Sequence, residues 1–302
     1  LTKIKAWFSA ARLRTLPLSV SGIIVGAALA HFEGYTKPSI FWLCILVTVL
    51  FQIISNFAND YGDGVKGTDN EERIGPARAL QSGLLTAKEL RLGIIMLSVI
   101  AFAATLILIL KVFTKEELPY IFLFIVLGLA SIWAAIKYTV GKSAYGYNGL
   151  GDIFVFLFFG LLAVLGTYFL FTKQFAVLLL LPATTIGLLC VAVLNLNNLR
   201  DVQSDTKAGK NTLIVKMGFN AGKKYHLVLI GLSLITLLFY FLLVGWSPVI
   251  MICLLPYVVL GFHIIRVIKI KEPKLLDPEL KVVALSTFLL ALLIYFSLNY
   301  FL

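Results

Sequence analysis

Two polar stretches interrupt an apolar chain, and both are rich in oxygen ligands. The first, NFANDYGDGVKGTDN (56–70), carries Asn59, Asp60, Asp63 and Asp69. The second, NLNNLRDVQSD (195–205), carries Asn197, Asp201 and Asp205. Asn59 and Asp63 are four residues apart, as are Asn197 and Asp201, and Asp205 follows four later. Residues i and i+4 share a helix face, so each stretch presents a stripe of oxygens, with Asp60 about 100° round from Asn59. All are hard ligands, with no thiolate or imidazole among them. Mg²⁺ suits such a set, since it takes one or two carboxylates and completes its shell with water and phosphate oxygens. Lys66, Arg73, Arg78, Arg200 and Lys210 flank the two stretches. Facing carboxylates ringed by basic side chains are what a diphosphate bound with Mg²⁺ needs. The expected metal ligands are Asp60, Asp63, Asp69, Asp201 and Asp205. Asn59, Asn197 and the basic residues are expected to hold substrate.

The same 138-residue offset relates Asn59 to Asn197 and Asp63 to Asp201, which points to a weak internal repeat. The copies are imperfect, because Gly67 stands opposite Asp205 and Asp69 lies two residues further on. Aspartates that merely solvate and cap helix ends would account for one such cluster. They account poorly for two with matching spacing. A helix C-terminus carries partial negative charge and ionisable groups are costly beside hydrocarbon, so carboxylates placed there call for cations.

The elements that must position these residues are membrane helices. The chain has 302 residues, 60% hydrophobic and 14% charged, where soluble domains run nearer about 50% and 25%. Apolar runs long enough to span a hydrocarbon core recur at 16–32, 39–59, 90–111, 119–137, 150–171, 175–197, 225–244, 248–268 and 282–302. The period-2 alternation of a membrane barrel is absent. The expected fold is an all-α membrane protein, a bundle of nine transmembrane helices forming one domain over 1–302, with polar loops at 60–89 and 198–224 over the site. Leu1 to Arg14 is basic and amphipathic and does not read as a cleaved signal peptide.

The net charge of +11 could suggest nucleic acid, but its distribution does not. With nine spans, 22 of the 26 Lys and Arg fall on one side, the exceptions being Lys37, Lys111, Lys115 and Lys173. The positive-inside rule then puts the N-terminus and both aspartate clusters in the cytoplasm. This predicts a multi-pass protein of the cell (inner) membrane with its active site facing the cytoplasm and no nucleic-acid partner. Four helices separate the clusters, so both emerge at one face and can meet in one pocket. Cys44, Cys190 and Cys253 lie within spans and do not form a disulfide framework. His31, His226 and His263 lie in separate segments without ligand spacing, which argues against a histidine metal site.

NDYGDGVKGTD (59–69) and NLNNLRDVQSD (195–205) resemble the two aspartate-rich motifs of the UbiA superfamily of intramembrane prenyltransferases. The resemblance covers the whole chain, with motifs after the second and sixth helices. The second motif has the N-x₃-D-x₃-D pattern in full, while Gly67 departs from it in the first. That departure, with RIGPARALQSG (73–83) and DTKAGKNTLIVKMG (205–218), is similar to the menaquinone-pathway branch. The resemblance implies transfer of a polyprenyl group from an allylic polyprenyl diphosphate to 1,4-dihydroxy-2-naphthoate. Mg²⁺ would assist departure of the diphosphate, CO₂ would be lost from the attacked ring position, and the product would be a demethylmenaquinol. In that frame Asp63, Asp201 and Asp205 are catalytic, and Asp69 takes the place of the missing ligand.

The same resemblance places Tyr138 and Lys142 of KYTVGKSAYGYNGLGD (137–152) beside the diphosphate and the reacting carbon. An aromatic ring can stabilise a cation and an ammonium can bind phosphate oxygen. An interfacial Tyr and a topology-setting Lys are the plainer alternative. Arg14 resembles an arginine that related enzymes pair with the acceptor's carboxylate, and a guanidinium suits that bidentate contact. Its plain alternative is topology-setting charge. Asp152 also suits a helix N-terminus without a site role. Two other functions stay open at this point. One is a UbiA-type enzyme for 4-hydroxybenzoate, homogentisate or a porphyrin. The other is a cation or organic-anion transporter, disfavoured because the two copies are parallel and lie at one face rather than at the midplane.

Overall fold

The structure is a computed structural model that describes residues 2–68, 78–245 and 250–300. Its elements are helical, and among the described residues there is no strand. Among the described residues, nine helical segments are long and apolar enough to cross a membrane. An amphipathic α1 (Lys3–Ala11) turns into α2 (Leu16–Phe32) through Arg12, whose backbone is left-handed. Then come α3 (Pro38–Val65), α4 (Ala87–Val112) and α5 (Leu118–Lys137). The fifth span joins α6 (Gly151–Val155), an eleven-residue π-helical stretch (Phe156–Gly166) and α7 (Thr167–Thr172). The sixth is α8 (Leu180–Arg200), followed by the short α9 (Val202–Lys207) and α10 (Leu213–Met217). The last three spans contain α11 (Phe219–Val244), α12 (Leu255–Lys269) and α13 (Asp277–Tyr300).

Local signals set the starts of several spans. Proline occupies the first turn of α2, α3, α5 and α12, where its missing N–H costs no helical bond. Thr86 and Glu89 form a reciprocal capping box on α4. Between membrane helices the hydrophobic effect gives no drive, so close packing of small residues does that work. Gly22 and Gly26 of α2 lie against the π-helical stretch, where a Cβ at Gly22 would fall 2.6 Å from that of Ala163. The centre of the bundle is α2, α8, α13 and the π-helical stretch. Ile186, Leu189, Ala192, Leu196 and Leu199 of α8 are fully buried, whereas Trp42, Leu110, Phe122 and Leu242 point outward.

The span count agrees with the sequence reading, and the helix ends differ from it. The helix expected to stop at 59 continues to Val65, and the one expected to stop at 197 reaches Arg200. Their last turns are polar, and a hydropathy run ends where polarity begins even when the helix does not. The histidines also differ. His226 and His263 meet at 2.8 Å between their Nε2 atoms. This pair joins Asn195 on one side and Glu279, held by Arg266, on the other. It is a hydrogen-bonded chain across four helices, and among the described residues no group of three His, Cys, Asp or Glu is arranged to hold a metal ion.

Candidate active site

The second motif keeps its i+4 spacing through a joint between two helices. α8 is capped by Asp201, whose N–H bonds to the Asn197 carbonyl (3.0 Å), and Asp205 N–H bonds in turn to the Asp201 carbonyl (2.8 Å). Arg200 is buried and organises the joint. Its Nε and Nη2 donate to the two oxygens of Asp201 (2.8 and 2.6 Å), Nη2 also to Asn197 (2.8 Å), and Nη1 to Asp277 at the start of α13 (2.6 Å). Such a bidentate guanidinium–carboxylate fork fixes geometry as well as charge. After α9 the chain turns at Gly209, whose φ of 68° favours glycine. Lys210 then bonds back to the Asp205 carbonyl (2.8 Å).

The first motif is the buried end of α3. Asn59 accepts a bond from Thr139 (3.3 Å). Asp60 is gripped by two guanidiniums, Arg12 and Arg78. Asp63 accepts a hydrogen bond from the Tyr147 hydroxyl (2.8 Å), which also meets the Thr68 hydroxyl (2.6 Å). Lys66 lies over the Tyr147 ring, 3.7 Å from its centroid.

Lys210 joins the two motifs. Its Nζ lies 3.8 Å from Asp63 and 3.7 Å from Asp205. Burial alone would lower the affinity of this ammonium for its proton, but the two carboxylates outweigh burial and hold its pKa above the ordinary lysine value. Tyr138, at the end of α5, faces the same group. Burial pushes its phenol up to about 12, with Asp63 and Asp205 adding to the rise. Tyr147 is likewise raised by burial and by Asp63.

Asp63, Asp205, Lys210 and Tyr138 line one end of a cavity of about 1090 Å³ that continues between the helices to Phe124, Leu127, Leu162 and Leu170, and Tyr147 stands outside its lining. A row of rings leads inward from the carboxylates. Tyr138 meets Tyr145 edge-on (5.4 Å between centroids), Tyr145 stacks on Phe154 (3.9 Å), and Phe154 stacks on Phe158 (6.2 Å). Polar, charge-bearing head and apolar, aromatic body suit an amphiphilic substrate with an anionic end.

Of the residues singled out in the sequence, Arg14, Asn59, Asp60, Asp63, Arg78, Tyr138, Asn197, Arg200, Asp201, Asp205 and Lys210 all border this cavity. Lys66 lies over the ring of Tyr147 and is not among the lining residues. Lys142 is exposed and is not among the lining residues, so Tyr138 has Lys210 rather than Lys142 beside it. Asp69 and Arg73 lie outside the described residues. Tyr145, Tyr147 and Phe154 were not singled out. Tyr145 and Tyr147 lie in the loop segment that carries Tyr138, and their tyrosine-rich spacing was the available signal.

The donor chemistry fits a divalent cation shared with phosphate. Asp63 and Asp205 come from different helices and converge on one ammonium, so a cation already sits between them. A diphosphate bound beside Asp63, Asp201 and Asp205 would add negative charge to that of the carboxylates. One carboxylate from each motif, with phosphate oxygens and water, is the shell Mg²⁺ prefers.

Residues 19–280 match the model of the UbiA prenyltransferase family. A Haemophilus influenzae protein named 1,4-dihydroxy-2-naphthoate octaprenyltransferase is 43% identical, over 98% of this chain and 96% of that one. The protein of the same name from Escherichia coli K12 is 45% identical over 78% of this chain and 76% of its own. Solved structures share the fold at low identity. A UbiA homolog from Archaeoglobus fulgidus bound to GPP and Mg²⁺ has a TM-score of 0.64 at 16% identity, covering 94% of this chain and 99% of that one. The apo structure of a UbiA homolog from Aeropyrum pernix K1 has a TM-score of 0.67 at 14% identity, covering 92% and 98%. Full-length kinship in sequence, the shared helical fold and the matching family model agree: the chain belongs to the UbiA prenyltransferase family.

Proposed function

We propose that this protein transfers a polyprenyl group from an allylic polyprenyl diphosphate to 1,4-dihydroxy-2-naphthoate in menaquinone (vitamin K2) biosynthesis. Diphosphate and CO₂ leave and a demethylmenaquinol forms. The observation that carries this reading is the convergence of Asp63 and Asp205 on Lys210 at the mouth of a deep apolar cavity. The names of the relatives supply the acceptor. The skew of Lys and Arg supports a mouth that faces the cytoplasm from the cell (inner) membrane.

Mg²⁺, when bound with the diphosphate, supplies Lewis-acid stabilisation of the leaving oxygens. Asp63 and Asp205 are its principal ligands in this proposal, and Asp201 is oriented by Arg200. Asp60 holds Arg12 and Arg78 at the wall. Lys210 and Arg78 offer charge to the diphosphate, so that negative charge developing on the departing oxygen meets preorganised cations. As the allylic C–O bond breaks, its electron pair leaves with the diphosphate. Tyr138 and Tyr145, whose rings border the cavity beside the carboxylates, stabilise the allylic cation, and the apolar walls below them exclude water that would quench it. The electron-rich ring carbon bearing the carboxylate attacks the cation, and loss of that carboxylate as CO₂ restores the aromatic ring. Arg14, exposed at the cavity mouth, is the proposed partner of the acceptor's carboxylate before the attack.

The test is purified protein in detergent with Mg²⁺, an allylic polyprenyl diphosphate and 1,4-dihydroxy-2-naphthoate. One CO₂ and one diphosphate per prenylated product are expected, with no product after chelation. Turnover only with 4-hydroxybenzoate or homogentisate would reassign the acceptor. Absence of any transfer would return the chain to the carrier reading.

A further inference from the structure

The π-helical stretch Phe156–Gly166 has a geometric consequence for the cavity. Successive i+4 residues of an α-helix advance about 40° beyond a full turn, so a row of five drifts by about 160° and leaves its face. The i→i+5 bonding of a π-helix widens the turn and lets the period approach four. Burial in this span follows that period. Gly160, Val164 and Tyr168 are all buried, on the side where a Cβ at Gly160 would fall 2.9 Å from the Ala183 carbonyl of α8, while Leu157 is 42% exposed. On the opposite side Phe154, Phe158, Leu162, Gly166 and Leu170 line the cavity, flanked by the neighbouring row Val155, Phe159, Ala163 and Thr167. The row starts at the ring stacked on Tyr145, beside the carboxylates, and runs away from them. It is aromatic near the head group and aliphatic deeper in. Gly166 is the one position on it without a side chain.

We propose that this row is the rail along which the polyprenyl tail lies, and that Gly166 determines how long a tail is accepted. The inference rests on the prenyl-transfer reading above. Gly166 has ordinary helical backbone angles (φ −63°, ψ −43°). An added Cβ would meet only the side chain of Leu162, at 3.2 Å. A larger residue therefore fits the backbone and projects into the channel, where it obstructs a tail that reaches that depth and leaves a shorter one alone.

The experiment compares Gly166→Leu with the unaltered protein on allylic diphosphates of two and of eight isoprene units, with 1,4-dihydroxy-2-naphthoate as acceptor. The eight-unit kcat/KM is expected to fall by about tenfold or more, with the two-unit value and the melting temperature unchanged. Leu157→Phe, on the outward side of the same stretch, is expected to leave both lengths unchanged. Should Gly166→Leu fail to fold, Leu162→Phe adds bulk to the same row and carries the same expectation. Equal loss at both lengths, no loss at either, or a length-selective loss in Leu157→Phe overturns the assignment. Lack of turnover by the unaltered protein with either diphosphate overturns the underlying reading instead, and the two failures are thereby distinguished.

Discussion

Asp63 on α3 and Asp205 on α9 meet the same ammonium, 3.8 and 3.7 Å from the Nζ of Lys210. Neither distance is that of a tight ion pair. A lysine held between two carboxylates of different helices ties the two motifs together.

Asp63→Asn and Asp205→Asn keep shape and hydrogen bonding but remove one charge from each motif. Each is expected to lower kcat/KM by about a hundredfold or more, with little change in melting temperature. Near-unaltered rates in both would remove the metal role from these residues.

Lys210→Met leaves two buried carboxylates without their shared cation, which costs about 3 kcal/mol of stability. Mg²⁺ should restore part of this, so its addition should raise the variant's melting temperature more than that of the unaltered protein. The pH dependence has a definite sign. The pKa of Lys210 is raised in the folded protein, so its contribution is fully present below the unfolded lysine value near 10.5. It is lost only as pH rises through the higher folded value. Stability that declines between pH 7 and 9 in the unaltered protein and not in Lys210→Met would contradict this.

Tyr147→Phe removes the hydroxyl that Asp63 and Thr68 share and keeps the ring beneath Lys66. A hydrogen bond to a charged group contributes about 1.5–3 kcal/mol, which predicts a loss of roughly tenfold or more in kcat/KM. Tyr147→Leu, which removes the ring as well, should lose more. Equal rates in all three proteins would leave Tyr147 a packing residue.

Arg200→Lys retains charge but cannot form the fork to Asp201 while also reaching Asn197 and Asp277. Both melting temperature and turnover should fall, turnover by about tenfold or more. An unchanged turnover would show that Asp201 needs no fixed orientation.

Much of this arrangement was legible in the sequence. Nine apolar runs and two carboxylate stripes with a common offset follow from hydropathy and i+4 spacing, and both are properties of short windows. What escaped depends on longer-range pairing or on backbone detail. Lys142 stands four residues from Tyr138, yet the lysine beside Tyr138 is Lys210, delivered by the Gly209 turn. Asp60 adjoins Asn59 in the first motif, yet Arg12 and Arg78, 48 and 18 residues away in sequence, hold it. His226 and His263 occupy different spans and meet only when α11 and α12 pack together. The π-helical stretch is invisible to hydropathy, since all its residues are apolar or small whichever bond pattern they adopt.

The central claim is that Asp63 and Asp205 act as one unit toward a divalent cation and a diphosphate. A double-mutant cycle on the affinity for Mn²⁺, measured by electron paramagnetic resonance with a non-reactive prenyl thiolodiphosphate bound, tests it most directly. If the two carboxylates share the ion, the Asp63→Asn/Asp205→Asn protein should bind it little more weakly than the worse single variant. Independent, additive losses would mean that the two motifs do not hold a common ion.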